Sequence, residues 1–417
     1  LELAKLKAKP TDSFYYGWVI VFIGGLGVFF SGPGQTYSIS VFIDSYIKEF
    51  GWDRSLVSSI YSFATLLAGL LLFLVGKLVD RFGQRRMTLI IGVLFALACF
   101  WNSIVMTPVM LFIGFFFMRI LGQGSMTLMP NTLIPQWFSV KRGRAFSSMA
   151  IGGFVSSALL PPLNAWLIAH YSWEFAYRFW GVLLLVIFVP IVFVFMRNKP
   201  EEMGLYPDNQ KPLTKGKEKI KATEVSWTLR EAMGTKQFWF ILFCTSIPAL
   251  INTGLTFHLV SILGDRGIPG TSAALILSLM AIIGFPITFL SGFLLEKIKV
   301  NVMMAIVFIG QILFIVTLYF TESYIMAIGY GVLWGIIGGL ERITITIIYP
   351  DYFRKEHIGS IKGLAMTVMV IGSAFGPLPF GIAYDLFGGY QEILLLSLFL
   401  PVLGFIFSLV SPKPIKS

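Results

Sequence analysis

Three ionisable residues lie deep inside long apolar stretches of this chain: Arg119, Glu341 and Arg342. A charge at the centre of a bilayer costs about 2.5–3.5 kcal/mol on insertion scales, so each should face a partner or a wet cavity. If all three are ionised they sum to +1, which suits an anionic ligand. Glu341 and Arg342 are sequence neighbours, about 100° apart around a helix, and cannot both point at one spot. Arg342 reads as an anchor for an anion, and Glu341 as its partner or as a protonatable coupling group. The structural alternative has Arg119 and Arg342 satisfied by helix carbonyls or by Glu341. His258 is a second proton-coupling candidate, because an unperturbed imidazole titrates near ~6.5; the plainer reading is a hydrogen-bonded helix histidine.

Other chemistry finds little support. His170, His258 and His357 fall on different helices, so no metal or nucleophile–base cluster is apparent. Cys99 and Cys244 both lie in apolar segments and give neither a disulfide framework nor a metal spacing. No phosphate-cradling Gly-x-x-x-x-Gly-Lys-Ser/Thr loop occurs, so ATP drive is not expected. No cofactor, metal or enzymatic activity is expected. Gly32-Pro33-Gly34-Gln35-Thr-Tyr37 interrupts the first helix, and broken helices line binding sites in transporters. Gln35 and Tyr37 are therefore candidate substrate contacts, as are Asn252 and Thr256, polar at depth on helix 7. Packing bends and interhelical hydrogen bonds are the alternatives.

These residues need a membrane to position them. The chain has 417 residues, 56% of them hydrophobic and only 13% charged, with a mean hydropathy of +0.80. A soluble protein would carry about twice that charged share. Crossing the hydrocarbon takes ~20 apolar residues. Twelve helices are read, near 15–47, 54–79, 86–106, 108–137, 143–170 and 175–198, then 237–264, 271–298, 300–320, 323–350, 358–386 and 390–411. The polar stretch 199–236, with Lys215, Lys217, Lys219 and Lys221, reads as a cytoplasmic linker between six-helix bundles at 14–198 and 237–411; a short helix is expected at 228–233. Threaded alternately, 26 of the 32 Lys and Arg fall on the side of the N-terminus. That bias places both termini in the cytoplasm of an inner or plasma membrane protein. The net charge of +11 borders apolar segments, which argues against nucleic acid. The basic start before helix 1 does not read as a cleavable signal, because the apolar run after it is long enough to span.

The two bundles echo each other. Gly51, Ser55, Gly76 and Asp80 find Gly267, Thr271, Gly292 and Glu296, each 216 positions on, and Pro135-Gln-Trp137-Phe138 recurs as Pro350-Asp-Tyr352-Phe353. Lys-Arg-Gly-Arg-Ala at 141–145 echoes Ile-Lys-Gly-Leu-Ala at 361–365. Related bundles around a central site are how many secondary transporters alternate access. The turn after helix 2 reads Gly76-Lys-Leu-Val-Asp80-Arg81-Phe-Gly83-Gln-Arg85-Arg86. Gly76 permits close helix approach, and Asp80 can meet the positive end of a neighbouring helix. Gly76, Asp80, Arg81, Gly83, Arg85 and Arg86 are thus read as a cytoplasmic gate; the alternative is a basic loop that only sets topology.

This string resembles the loop signature of the major facilitator superfamily. Arg119-Ile-Leu-Gly122-Gln-Gly124 resembles its helix-4 arginine motif, and Gly372-Ser-Ala-Phe-Gly376-Pro377, followed by Gly381 and Asp385, its helix-11 pattern. Tyr15-Tyr16-Gly17-Trp18, Phe50-Gly51-Trp52-Asp53-Arg54-Ser55 and Trp137-Phe138-Ser-Val-Lys141-Arg142-Gly143-Arg144-Ala145 resemble the monocarboxylate and oxalate/formate transporter branch. That branch carries small organic anions, often with a proton; its helix-4 arginine matches Arg119 and its helix-10 acid Glu341. Helix 8 departs from it, because 271–295 has no Arg or Lys where the branch places a basic residue for the carboxylate. The Gly-Pro step of drug antiporters is not intact in helix 5, which runs from Gly152-Gly153 to Pro161-Pro162. The resemblance implies an all-α membrane protein of two pseudo-symmetric six-helix bundles, with helices 1, 4, 7 and 10 lining a central cavity.

The expectation is a monomeric secondary transporter in a lipid bilayer that moves a small organic anion, coupled to protons. An exporter of uncharged or cationic compounds is the alternative; a membrane enzyme or solute sensor is more distant.

Overall fold

In the computed structural model the described chain is helical throughout, apart from turns and short connections. The structure describes residues 15–209, 227–295, 297–353 and 358–414. Among them are twelve helices long and apolar enough to cross a membrane. They are α1 (Gly17–Gly34), α2 (Arg54–Val79), α3 (Gln84–Asn102), α4 (Pro108–Trp137), α5 (Arg142–His170) and α6 (Trp173–Phe195), then α7 (Lys236–Gly264), α8 (Gly270–Gly292), α9 (Val300–Tyr319), α10 (Tyr324–Phe353), α11 (Ile361–Phe387) and α12 (Gln391–Leu409). An even number of crossings puts both ends of the bundle at one face, the terminal face. Odd-numbered helices run from it to the far face.

Local chemistry explains the interruptions. Pro33 between two glycines turns the end of α1 into a 3-10 turn; helical turns resume at Thr36 and continue to Phe50. Gly51 ends that stretch at φ 67°, and Gly267, its partner in the repeat, ends the turn after α7 at φ 76°. Both adopt the left-handed conformation that only glycine takes without strain. α4 contains a π-helical stretch at Met118–Ser125, and the helix of α11 restarts at Pro377 after Gly376. The expected short linker helix is observed at Leu229–Met233, closed by a capping box between Thr228 and Glu231. The lysines at 215–221 lie outside the described residues.

Buried apolar side chains gather into two clusters, one drawn almost entirely from α1–α6 and the other from α7–α12. The same belt closes each. Trp137 at the end of α4 donates Nε1–H to the Arg197 carbonyl after α6 at 3.3 Å, and the Tyr352 hydroxyl at the end of α10 donates to the Ser411 carbonyl after α12 at 2.5 Å. Small residues bring backbones together: a Cβ on Gly152 of α5 would lie 1.9 Å from the Gly25 carbonyl of α1.

Candidate functional site

Among the cavities formed by the described residues, two take in the candidate arginines. The larger, about 440 Å³, lies between α2, α4, α7 and α11, and Arg119, Thr65, Gln123, Met366, Met369 and Val370 are among its walls. Arg119 projects from the π-helical stretch of α4, directly against the break in α1. The approach is so close that a Cβ on Gly34 would sit 2.2 Å from the Met118 carbonyl. Breaking α1 frees carbonyls, and Arg119 takes one up: its Nη1 donates to the Gly34 carbonyl at 3.0 Å and to Thr36 Oγ1 at 3.4 Å. The guanidinium also lies 5.0 Å from the centre of the Tyr61 ring. Among the described residues its Nε–H has no hydrogen-bond partner, nor has Thr65 Oγ1.

The smaller cavity, about 140 Å³, is lined by Tyr37, Thr256, Trp334, Gly338 and Arg342 among others, from α1's continuation, α5, α7, α8 and α10. Arg342 is exposed. Among the described residues no hydrogen bond or ion pair holds its guanidinium. Its neighbour Glu341 turns away into the second cluster, as the angle between adjacent helix positions requires. Glu341 is 8% exposed. It accepts from Asn252 Nδ2 at 2.9 and 3.0 Å and from Gln311 Nε2 at 3.3 Å. The amide oxygens of both partners are buried without donors. Glu341 therefore faces neutral amides.

The remaining candidates separate. Tyr37 lines the smaller cavity and shares a 2.9 Å hydrogen bond with Ser156 Oγ, whereas Gln35 donates to Ser31 Oγ at 3.1 Å within its own turn. His258 lines neither cavity described above. It is fully buried near the far face, between Ser58 Oγ (3.2 Å), the Pro377 carbonyl (3.0 Å) and the Tyr390 hydroxyl (3.0 Å).

Beside it is a latch between the first and second six helices. Asp385, at the end of α11, accepts from the Arg54 and Ser55 backbone N–H groups at 3.2 and 2.8 Å. An acid on the first N–H groups of a helix satisfies donors that have no intrahelical partner and meets the positive end of the dipole. Arg54 Nη1 reaches Asp44 Oδ1 and Ser261 Oγ, both at 2.7 Å, and its guanidinium lies 4.4 Å from the Tyr384 ring centre.

At the terminal face, Arg85 of the turn after α2 donates its N–H to Asn198 Oδ1 at 2.8 Å and its Nη2–H to the Phe193 carbonyl at 2.6 Å, both at the end of α6. Gly83 takes φ 82°, and nothing lies within 4 Å of a Cβ built on Gly76. Arg81 and Arg86 are exposed; the Asp80 side chain lies outside the described residues. Farther along, Asp208 accepts from the N–H groups of Val140, Ser139 and Lys141 and from the Ser139 hydroxyl. Burial alone would raise its carboxyl, but these donors outweigh burial and hold it below the ordinary carboxylate value.

Sequence reasoning missed Gln311, Thr65 and the Asp385–Arg54 latch. Gln311 carried a signal, a long polar side chain midway along an otherwise apolar helix. Arg54 stood out only as part of the string before α2, and only the fold brings the end of α11 over the start of α2.

A family model described as Major Facilitator Superfamily matches residues 17–377. The chain is 21% identical over 384 residues to the uncharacterized MFS-type transporter YcxA of Bacillus subtilis (strain 168), covering 85% of this chain and 86% of that one. It is 24% identical over 384 residues to monocarboxylate transporter 4 of Rattus norvegicus, covering 87% and 76%. Among solved structures, a bacterial homologue of the human lysosomal transporter Spinster, in an inward-facing and unoccupied conformation, superposes with a TM-score of 0.75 at 14% identity, covering 96% and 97%.

Proposed function

The chain belongs to the Major Facilitator Superfamily, and from that premise we propose that this integral membrane transporter moves a small organic anion by alternating access, with a proton as the coupling ion. One observation carries the reading: Arg342 is an exposed guanidinium in a membrane-crossing helix with no hydrogen bond or ion pair among the described residues. A cation kept at such cost awaits a negative ligand. The likeness to monocarboxylate transporter 4 supports the same cargo class, and the absence of Arg and Lys from 271–295 leaves Arg342 to do the work of a helix-8 cation.

The terminal face is the cytoplasmic one in this reading, by the excess of Lys and Arg on that side. The far-face latch then closes the outer entrance. Glu341 serves as the proton site. A buried carboxylate whose hydrogen-bond donors are neutral amides is costly while charged, and a bound proton removes that cost. Its one-residue separation from Arg342 ties the two events to one helix.

Uptake of labelled lactate, pyruvate, oxalate and larger organic anions into proteoliposomes, with and without an inward proton gradient, tests cargo and coupling together. Arg342→Gln should weaken anion binding about 10- to 150-fold, the range for hydrogen bonds to a charged group, with expression intact. Unchanged affinity would reassign Arg342 to packing, and gradient-independent uptake would remove the proton.

A further inference from the structure

We infer that Gln311 is a positioning residue of the proton site: its amide holds the charged form of Glu341, so that the carboxyl can release a proton as well as take one. This rests on the proton reading above and deepens it. Gln311 is the only polar residue from Val302 to Val316 of α9, and it is fully buried. No residue of α9 lines either cavity described above, so Gln311 acts through Glu341 and not on the cargo. Among the described residues its side chain makes one hydrogen bond, from Nε2 to Glu341 Oε2 at 3.3 Å, and its amide oxygen is buried without a donor. Few buried polar groups are left so poorly satisfied, and the acid is the single contact that accounts for an amide here. The first repeat supports the pairing. Ala96 and Phe95 stand 215 and 216 positions before Gln311, and Met126 stands 215 before Glu341. Acid and amide are present together in one repeat and absent together from the other.

An N–H donor stabilises the charged carboxylate more than the neutral acid. Other ionisable groups around Glu341 are few. Arg342 adjoins it on α10, and Tyr330 and Tyr349 of that helix are more than two turns away. α8 has none between Gly270 and Gly292. Those of α9 and α11 stand near the helix ends, at Tyr319, Lys362, Tyr384 and Asp385. On α7, Lys236 opens the helix, Cys244 donates to the Gly404 carbonyl, and His258 is bonded near the far face. With Gln311 removed, Asn252 is left as the one side-chain donor to the acid.

The test is infrared spectroscopy of the protein in nanodiscs, titrated across pH and needing no cargo. The carboxylic-acid carbonyl band that Glu341→Gln removes belongs to protonated Glu341. Gln311→Met fills similar space and leaves no orphan amide oxygen. At a given pH it should raise the ratio of protonated to charged Glu341 about 5- to 10-fold, the difference between a hydrogen bond to a charged acceptor and one to a neutral acceptor. A residue that only packs α9 against α10 would shift the thermal midpoint and leave the pH profile of the band where it is. That result would overturn this inference while the proton reading stands. If Glu341→Gln removes no such band at any pH, Glu341 never takes a proton, and the assignment of the proton to Glu341 falls with this inference.

Discussion

The two cavities are one cavity built twice. In α4, Arg119, Gln123 and Thr127 line the larger; 215 positions on, Trp334, Gly338 and Arg342 of α10 line the smaller. In α2, Thr65 and Ala68 have Ala281 and Gly284 of α8 as their counterparts 216 on, again at the two walls. The guanidinium has moved within this shared frame. Arg119 sits eight residues nearer the far face than Arg342 does, about 12 Å along the helix. The deep cation is held by the broken α1, whereas the shallow one makes no hydrogen bond or ion pair among the described residues. Duplication preserves where a cavity forms, because helix crossings set it. The side chains facing the space diverge, because no crossing depends on them.

Removing each cation in turn would show the difference most strongly. Arg119→Gln should lose anion affinity and also stability, because the Gly34 carbonyl and Thr36 lose their donor, at about 1–3 kcal/mol. Arg342→Gln should lose affinity alone. Thermal midpoints measured beside binding isotherms decide it; equal destabilisation by both changes would erase the contrast between a held cation and a free one.

The next largest effect concerns an asymmetry in acid. The position 215 before Glu341 is Met126, so the carboxylate with its amides exists in one repeat only. Glu341→Gln should lower gradient-driven uptake to the level without a gradient, while exchange of cargo for cargo persists. Gradient stimulation that survives the change would take the proton away from Glu341.

A third asymmetry lies at the far face. The spacing of 220 that relates 141–145 to 361–365 pairs Asp385 with Ala165, so the acid that caps α2 has an alanine as its counterpart. Ala165 packs into the second cluster. The corresponding pair, α5 and α8, meets instead toward the terminal face, through the Phe154–Phe285 stack with ring centres 4.4 Å apart. Asp385→Asn should weaken the latch by about 0.5–2 kcal/mol, as for lost helix caps. That is a shift of about 2- to 30-fold toward a far-face-open form. Spin-label distances between α2 and α11 at that face would report it, and an unchanged distribution would mean that the polar contacts do not hold the entrance shut.

These contrasts show what a linear reading can reach. Twelve spans were legible because hydropathy is a local property, and the break in α1 because Gly32-Pro33-Gly34 carries its geometry in its residue types. The deep arginines were legible because charge in an apolar run is rare. Their different fates were not, since Arg119 is held by the Gly34 carbonyl and Thr36 of another helix, whose approach only the fold sets. Gln311 was visible as a polar residue, but its pairing with Glu341 required knowing which faces of α9 and α10 meet.

The smallest predicted effect concerns how the linker divides between the repeats. Its first part docks on the first unit through Asp208, and its later part meets the second through the Trp227 N–H, 3.4 Å from the Phe353 carbonyl. Because the Asp208 carboxyl is held below its ordinary value when folded, its stabilisation is present above the unfolded value of about 3.9 and is lost as pH falls through the lower folded one. Asp208→Asn should therefore lower the thermal midpoint modestly at neutral pH. The gap from the parent protein should narrow as pH drops below about 4. A gap that stays constant across that range would mean that Asp208 contributes through shape alone, and that the charge of the linker does not distinguish the two repeats.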